Sequence, residues 1–119
     1  MTATVSSHTL DGTDGTHAGG IAVRLVNLTT GAELFASQTD AGGRLAETVD
    51  LTGADPACRY ELTFATGAYW RARAPAPAHA HPIDEIVLRF AMPDARARYH
   101  MPLILSPNGY SCWASCPEP

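Results

Sequence analysis

A chain of 119 residues, 45% of them hydrophobic and 17% charged, suits one domain with a single modest core. Eight Lys and Arg against twelve Asp and Glu leave a net charge of -4, with the basic residues dispersed, which argues against nucleic acid and against an anionic membrane surface as partners. The charged fraction is low for a free globular surface and fits a protein that covers part of itself with partner subunits.

The opening stretch MTATVSSHTLDG carries no basic segment followed by an apolar one, so no secretory signal is expected. No apolar run is long enough to span a bilayer. Together with an odd count of three cysteines, Cys58, Cys112 and Cys116, this predicts a cytoplasmic protein with reduced thiols.

Short strands and turns follow one another along the chain. IAVRLVNL, Ile21 to Leu28, is rich in β-branched and aliphatic residues, TTGA at Thr29 to Ala32 is a turn, and ELFASQTD follows. AGGR at Ala41 to Arg44 is a second turn before LAETVDL. In YELTFAT, Tyr60, Leu62 and Phe64 alternate with Glu61, Thr63 and Ala65, which predicts one buried and one wetter face. EIVLRFAM repeats the pattern, with Ile86, Leu88, Phe90 and Met92 inward.

Between these two strands GAYWRAR allows one or two helical turns, whereas Pro75 and Pro77 forbid a long helix and predict a surface loop. The final pair is YHMPLILSP and GYSCWAS. Asn108-Gly109 is the strongest hairpin dipeptide, because both residues tolerate positive φ. Pro102 lacks a backbone donor and is expected at an edge, at a bulge or beside an interface. Tyr99, Met101, Leu103 and Leu105 share one face of this strand, and His100, Pro102, Ile104 and Ser106 the other. Seven or eight short strands predict an all-β sandwich in one domain spanning residues 1–119.

Three residues on three separate segments are candidates for chemistry: His8 in SSHTLD, Arg44 after Gly42-Gly43, and His100. Taken singly, each has an ordinary reading, as a packed or solvated histidine or a solvated turn arginine. Together they suit a hydrolysis: two imidazoles activate and orient a water, and a guanidinium holds a carbonyl-rich substrate and a developing oxyanion. Spacing alone does not bring them together. His79 and His81 with Cys112 and Cys116 lack the tight spacing of a zinc knuckle. Cys112 or Cys116 as a nucleophile beside His100 is the other open reading, against that of an unactivated thiol. No nucleophile elbow, P-loop or dinucleotide fingerprint is present.

SSHTLDGTDG with AGGIAVRL, TDAGGR, YELTFATGAYW and YHMPLILSPNGYS resemble, in order and over nearly the whole chain, the 5-hydroxyisourate hydrolases of the transthyretin-like family. The resemblance implies a β-sandwich of two four-stranded sheets with one short helix. It also implies a homotetramer, a dimer of dimers, with substrate sites at the interface. It assigns the catalytic set to His8, Arg44 and His100, and hydrolytic ring opening of 5-hydroxyisourate to the site, with neither metal nor organic cofactor.

The chain departs from that pattern at its end. The hydrolases resembled close in Tyr-Arg-Gly-Ser, where this sequence reads Trp113, Ala114, Ser115 and Cys116. A methyl group at Ala114 cannot replace a guanidinium, and Ala114→Arg is expected to raise activity if that loss is limiting. Arg98 stands where the hydrolases usually have another histidine, on the same strand face as His100. Ser111, Arg98, Trp113, through its flat ring, and Cys116 are therefore expected to shape the substrate site. Two further readings stand beside the hydrolase. One is an enzyme diverged on this scaffold toward another small cyclic substrate. The other is a non-catalytic small-molecule-binding tetramer, against which the retained His8, Arg44 and His100 argue.

Overall fold

Alternation along the strands builds the fold directly. In β5 (Arg59–Phe64) the inward Tyr60, Leu62 and Phe64 are fully buried, as their spacing predicts. The same period of two runs through β1 (Thr2–Asp11), where Ala3, Val5, Ser7, Thr9 and Asp11 all face in. The computed structural model describes residues 1–73 and 81–117. The Ala-Pro loop expected around Pro75 and Pro77 lies outside them.

The remaining elements are β2 (Ala22–Asn27), β3 (Glu33–Gln38), β4 (Arg44–Asp50), α1 (Thr66–Arg73), β6 (Ile86–Ala91), β7 (Arg98–His100), β8 (Leu103–Ser106) and β9 (Gly109–Cys112). One sheet has the order β3-β2-β5-β6, wholly antiparallel. The other runs β4-β1-β8-β9, with β7 also paired to β1. Val5, Leu25, Leu62, Phe64, Leu103 and Leu105 fill the space between the sheets. This is the β-sandwich with one short helix. Among the described residues, no helix is long and apolar enough to cross a membrane.

β7 and β8 are one line broken in the middle. Ser6 pairs with His100 and Thr9 with Leu103, so the offset along β1 is the same on both sides of the break. Pro102 accordingly sits neither at an edge nor at a bulge, but between β1 and the C-terminal tail. Its carbonyl accepts a hydrogen bond from Trp113 N at 3.2 Å. A strand residue points its N–H and C=O to the same side, so the donor that proline lacks is missing on the tail side, and regular β9 pairing ends at Cys112.

The last hairpin also differs from expectation. Ser106 pairs with Gly109, which centres the turn on Pro107-Asn108 rather than on Asn108-Gly109. Neither Asn108 nor Gly109 has positive φ. Pro107 pre-sets φ at the first central position, and the Ser106 hydroxyl closes the turn onto Gly109 O at 3.0 Å.

The inward polar end of β1 is satisfied residue by residue. Ser7 donates to Met101 O at 2.7 Å and Thr9 to Ala18 O at 2.6 Å. Asp11 accepts from Tyr69 OH at 2.9 Å and pairs with Arg73 at 3.0 Å, which fastens α1 to the end of β1. Burial alone would raise the Asp11 pKa, but hydrogen bonds from the Thr13 hydroxyl and amide and from Tyr69 outweigh it and hold the carboxyl below its ordinary value. Burial, with the same contact, raises the Tyr69 phenol to about 12.

Candidate active site

Register places the three candidate residues on one sheet face. His8 lies opposite Arg44 across the β1–β4 pair, and Ser6, two residues earlier, lies opposite His100 across the β1–β7 pair. Residues directly opposite each other share a face, so Arg44, His8, Ser6 and His100 all project from the outer surface of this sheet.

The turn TDAGGR aims Arg44. Asp40 Oδ1 accepts from Gly42 N and Arg44 N, both at 2.9 Å, and Gly43 N returns to Asp40 O at 2.9 Å. Gly43 has φ of 74°, and a Cβ there would lie 2.3 Å from Thr9 O, so the turn fits against β1 only with glycine. Thr39 fixes the approach, accepting from Ile21 N at 3.0 Å and donating to Ala18 O at 3.2 Å.

His8 Nε2 lies 3.0 Å from Gly42 O and 3.0 Å from His17 Nδ1. A carbonyl only accepts, so the Gly42 contact assigns a proton to Nε2 and leaves Nδ1 as the ring nitrogen with an open lone pair. Burial lowers the His8 pKa, and the charges of Arg44, His17 and His100 lower it further, against the Gly42 hydrogen bond that raises it. The imidazole is therefore neutral at neutral pH, the form that accepts a proton. His100 is held differently: its Nδ1 lies 2.8 Å from Ser6 Oγ, so its Nε2 is the free nitrogen.

Two hollows adjoin on this face and share Ser6 and His100. One, of about 460 Å³, is lined by Asp40 and Arg44. The other, of about 290 Å³, is lined by Arg98, Ser115 and Cys116. Arg98 and Cys116 thus line the same hollow as His100. Ser111 and Trp113 lie on the same face, opposite Ile104 and Pro102, but line neither hollow. Trp113 is 69% exposed and Ile104 51%. A larger hollow of about 590 Å³ lies on the other sheet between Arg24, Glu61, Glu85 and Val87, and among the described residues no histidine or cysteine lines it.

Ala114 lines a mainly apolar hollow of Phe90, Tyr99 and Met101 that His100 and Ser115 also line. Cys112 pairs with Leu103 on the core-facing side, and desolvation raises its thiol pKa, which is the wrong direction for a thiolate nucleophile. His81 stacks against Trp70, with ring centroids 6.3 Å apart, and His79 lies outside the described residues.

His17 was not legible as a site residue. The signal for it was the turn-rich Asp11-Gly12-Thr13-Asp14-Gly15 stretch, which reverses the chain and returns it antiparallel, so that His17 pairs with Leu10 and shares a face with His8. Ser6 was visible only as a neighbour of His8 in sequence.

A 5-hydroxyisourate hydrolase of Mesorhizobium japonicum is 37% identical over 115 residues, covering 92% of this chain and 89% of that protein. The structure of Klebsiella pneumoniae 5-hydroxyisourate hydrolase superposes with a TM-score of 0.74 at 33% identity, covering 96% of this chain and 99% of that one. Sea bream transthyretin in complex with thyroxine superposes at 0.76 with 26% identity, covering 93% of each chain. The model of the HIUase/Transthyretin family matches residues 5–114, and the chain belongs to that family.

Proposed function

We propose that the protein hydrolyses 5-hydroxyisourate, with His8, Arg44 and His100 as its catalytic residues. The observation that carries this reading is that all three project from one sheet face, with a hollow joining Arg44 to His100 and His8 opposite Arg44, beside that hollow rather than in its lining. His8 Nδ1 takes a proton from water as the water oxygen bonds to the ring carbonyl carbon. Arg44 holds the oxygen that becomes negative. As the carbonyl re-forms, the ring C–N bond breaks, and the proton passes from the imidazolium to the leaving nitrogen. His100, anchored by Ser6, orients the water or the ring through Nε2. The carboxylic acid so formed releases its proton to solvent and leaves as a carboxylate. No step calls on a metal or organic cofactor.

We further infer a homotetramer, a dimer of dimers, with the sites between subunits. The exposed Ile104 and Trp113 on the site face and the free edge of β9 support it. The free thiols Cys58, Cys112 and Cys116 are in keeping with a cytoplasmic location.

The test is the absorbance decay of freshly generated 5-hydroxyisourate. Catalysed decay, abolished by His8→Ala, is expected, and decay no faster than the spontaneous rate sinks the reading. A second reading, a scaffold enzyme for another small cyclic substrate, draws on the tail. Ser115 N bonds to His100 O at 3.0 Å and brings Cys116 into the hollow beside His100.

A further inference from the structure

His8 works as a base only if its ring is held with the correct nitrogen free. Two groups hold its Nε2 edge. Gly42 O is a fixed backbone acceptor, and His17 Nδ1 lies 3.0 Å away with the two rings stacked, centroids 5.1 Å apart and planes 24° from parallel. His17 is placed by backbone alone: Ala18 N bonds to Thr9 O at 2.9 Å and Asp11 N to Thr16 O at 2.8 Å, which locks the returning chain against β1.

We propose that His17 is a positioning residue for His8, gripping the ring through Nε2 so that Nδ1 receives the proton from water. The inference rests on the reading of His8 as the general base. When Nδ1 takes that proton, the ring becomes an imidazolium whose Nε2–H points at two acceptors, Gly42 O and the His17 Nδ1 lone pair. A base oriented by a third group follows the logic of catalytic triads, here with a second imidazole in the orienting place. Protonation of His17 at Nδ1 turns that acceptor into a donor and adds a positive charge beside His8. The grip therefore requires neutral His17. The other charged groups facing His8 are Arg44 on β4 and His100 on β7. Asp40 lies in the turn that carries Gly42, with its carboxylate occupied by backbone amides.

The experiment combines nitrogen NMR of the imidazoles in the ligand-free protein with pH-dependent kinetics of wild type, His17→Ala and His17→Asn. Wild-type His8 is expected with its proton on Nε2 and bare Nδ1. In His17→Ala, kcat falls about tenfold, part of what a positioned base contributes, with little change in KM. Asn offers Oδ1 close to where His17 offers Nδ1, so His17→Asn regains most of kcat. Without the His17 contribution that helps hold the His8 pKa down, the acid limb of both variants moves to higher pH. Wild-type His8 protonated on Nδ1 overturns the proposal, as does His17→Ala with unchanged kcat and unchanged His8 signals. A wild type that leaves 5-hydroxyisourate untouched overturns the hydrolase reading instead, and the nitrogen spectra then decide the role of His17 alone.

Discussion

Ser6 and His100 face each other across the parallel pair of β1 and β7, and the Ser6 hydroxyl lies 2.8 Å from His100 Nδ1. The contact ties a histidine near the end of the chain to the first strand and sets which of its nitrogens is free. Ser6→Ala is expected to lower kcat about tenfold or more by letting the ring turn. It should cost only about 1 kcal/mol of stability, the net value of one partly exposed hydrogen bond. Steady-state kinetics and thermal unfolding measure the two separately.

The lowered pKa of His8 sets a pH dependence with a definite sign. Burial and the neighbouring cations keep the folded imidazole neutral below its ordinary 6.5. The acid limb of kcat/KM is therefore expected below pH 6.5, with activity flat above it up to the next ionisation. Stability moves with it. Above 6.5 His8 is neutral in both folded and unfolded chains and contributes no slope. As pH falls below 6.5, the unfolded chain binds the proton first, so stability declines until the folded pKa is reached. Denaturant unfolding from pH 7.5 downward, in wild type and His8→Gln, isolates this term.

Gly43→Ala places a methyl against Thr9 O in a backbone of positive φ. A loss of about 2 kcal/mol is expected from strain. Because the turn also aims Arg44, KM should rise together with the fall in Tm. A variant that loses stability but keeps its KM would separate the turn from substrate binding.

Ala114→Arg is expected to bring no gain in hydrolysis. The sequence alone suggested a rescue of a missing guanidinium, but the hollow that Ala114 lines, beside His100, is mainly apolar, walled by Phe90, Tyr99 and Met101, and a guanidinium placed there would lose hydration without gaining a partner. The kinetics of Ala114→Arg beside those of Arg98→Ala, whose guanidinium does line the His100 hollow, check which position matters.

Much of this was legible because period-two alternation is local. Tyr60, Leu62 and Phe64 declared their face, and so did His100, Pro102 and Ile104. TDAGGR announced a turn because an Asp side chain capping two amides and a glycine at positive φ are properties of a few adjacent residues. Strand neighbours were not legible. Nothing near Ser6 says that it lies beside His100, since parallel pairing at long separation leaves no short-range mark. Pro107 displaced the hairpin because a fixed φ at the first central position outweighed the tolerance of Asn108 and Gly109 for positive φ. His17 escaped notice because its position depends on a chain reversal rather than on any repeat.

The pairing of β1 with β7 and β8 also bears on how the molecule comes into being. β1 takes its place between β4 and strands that follow it by more than ninety residues, since Ser6 pairs with His100 and Thr9 with Leu103. Until residues 98–105 emerge, one flank of β1 has no partner and His8 has no His100. Contacts so remote along the chain slow folding, so the site-bearing sheet closes late. A chain interrupted before β7 would retain much of the opposite sheet and none of the assembled chemistry.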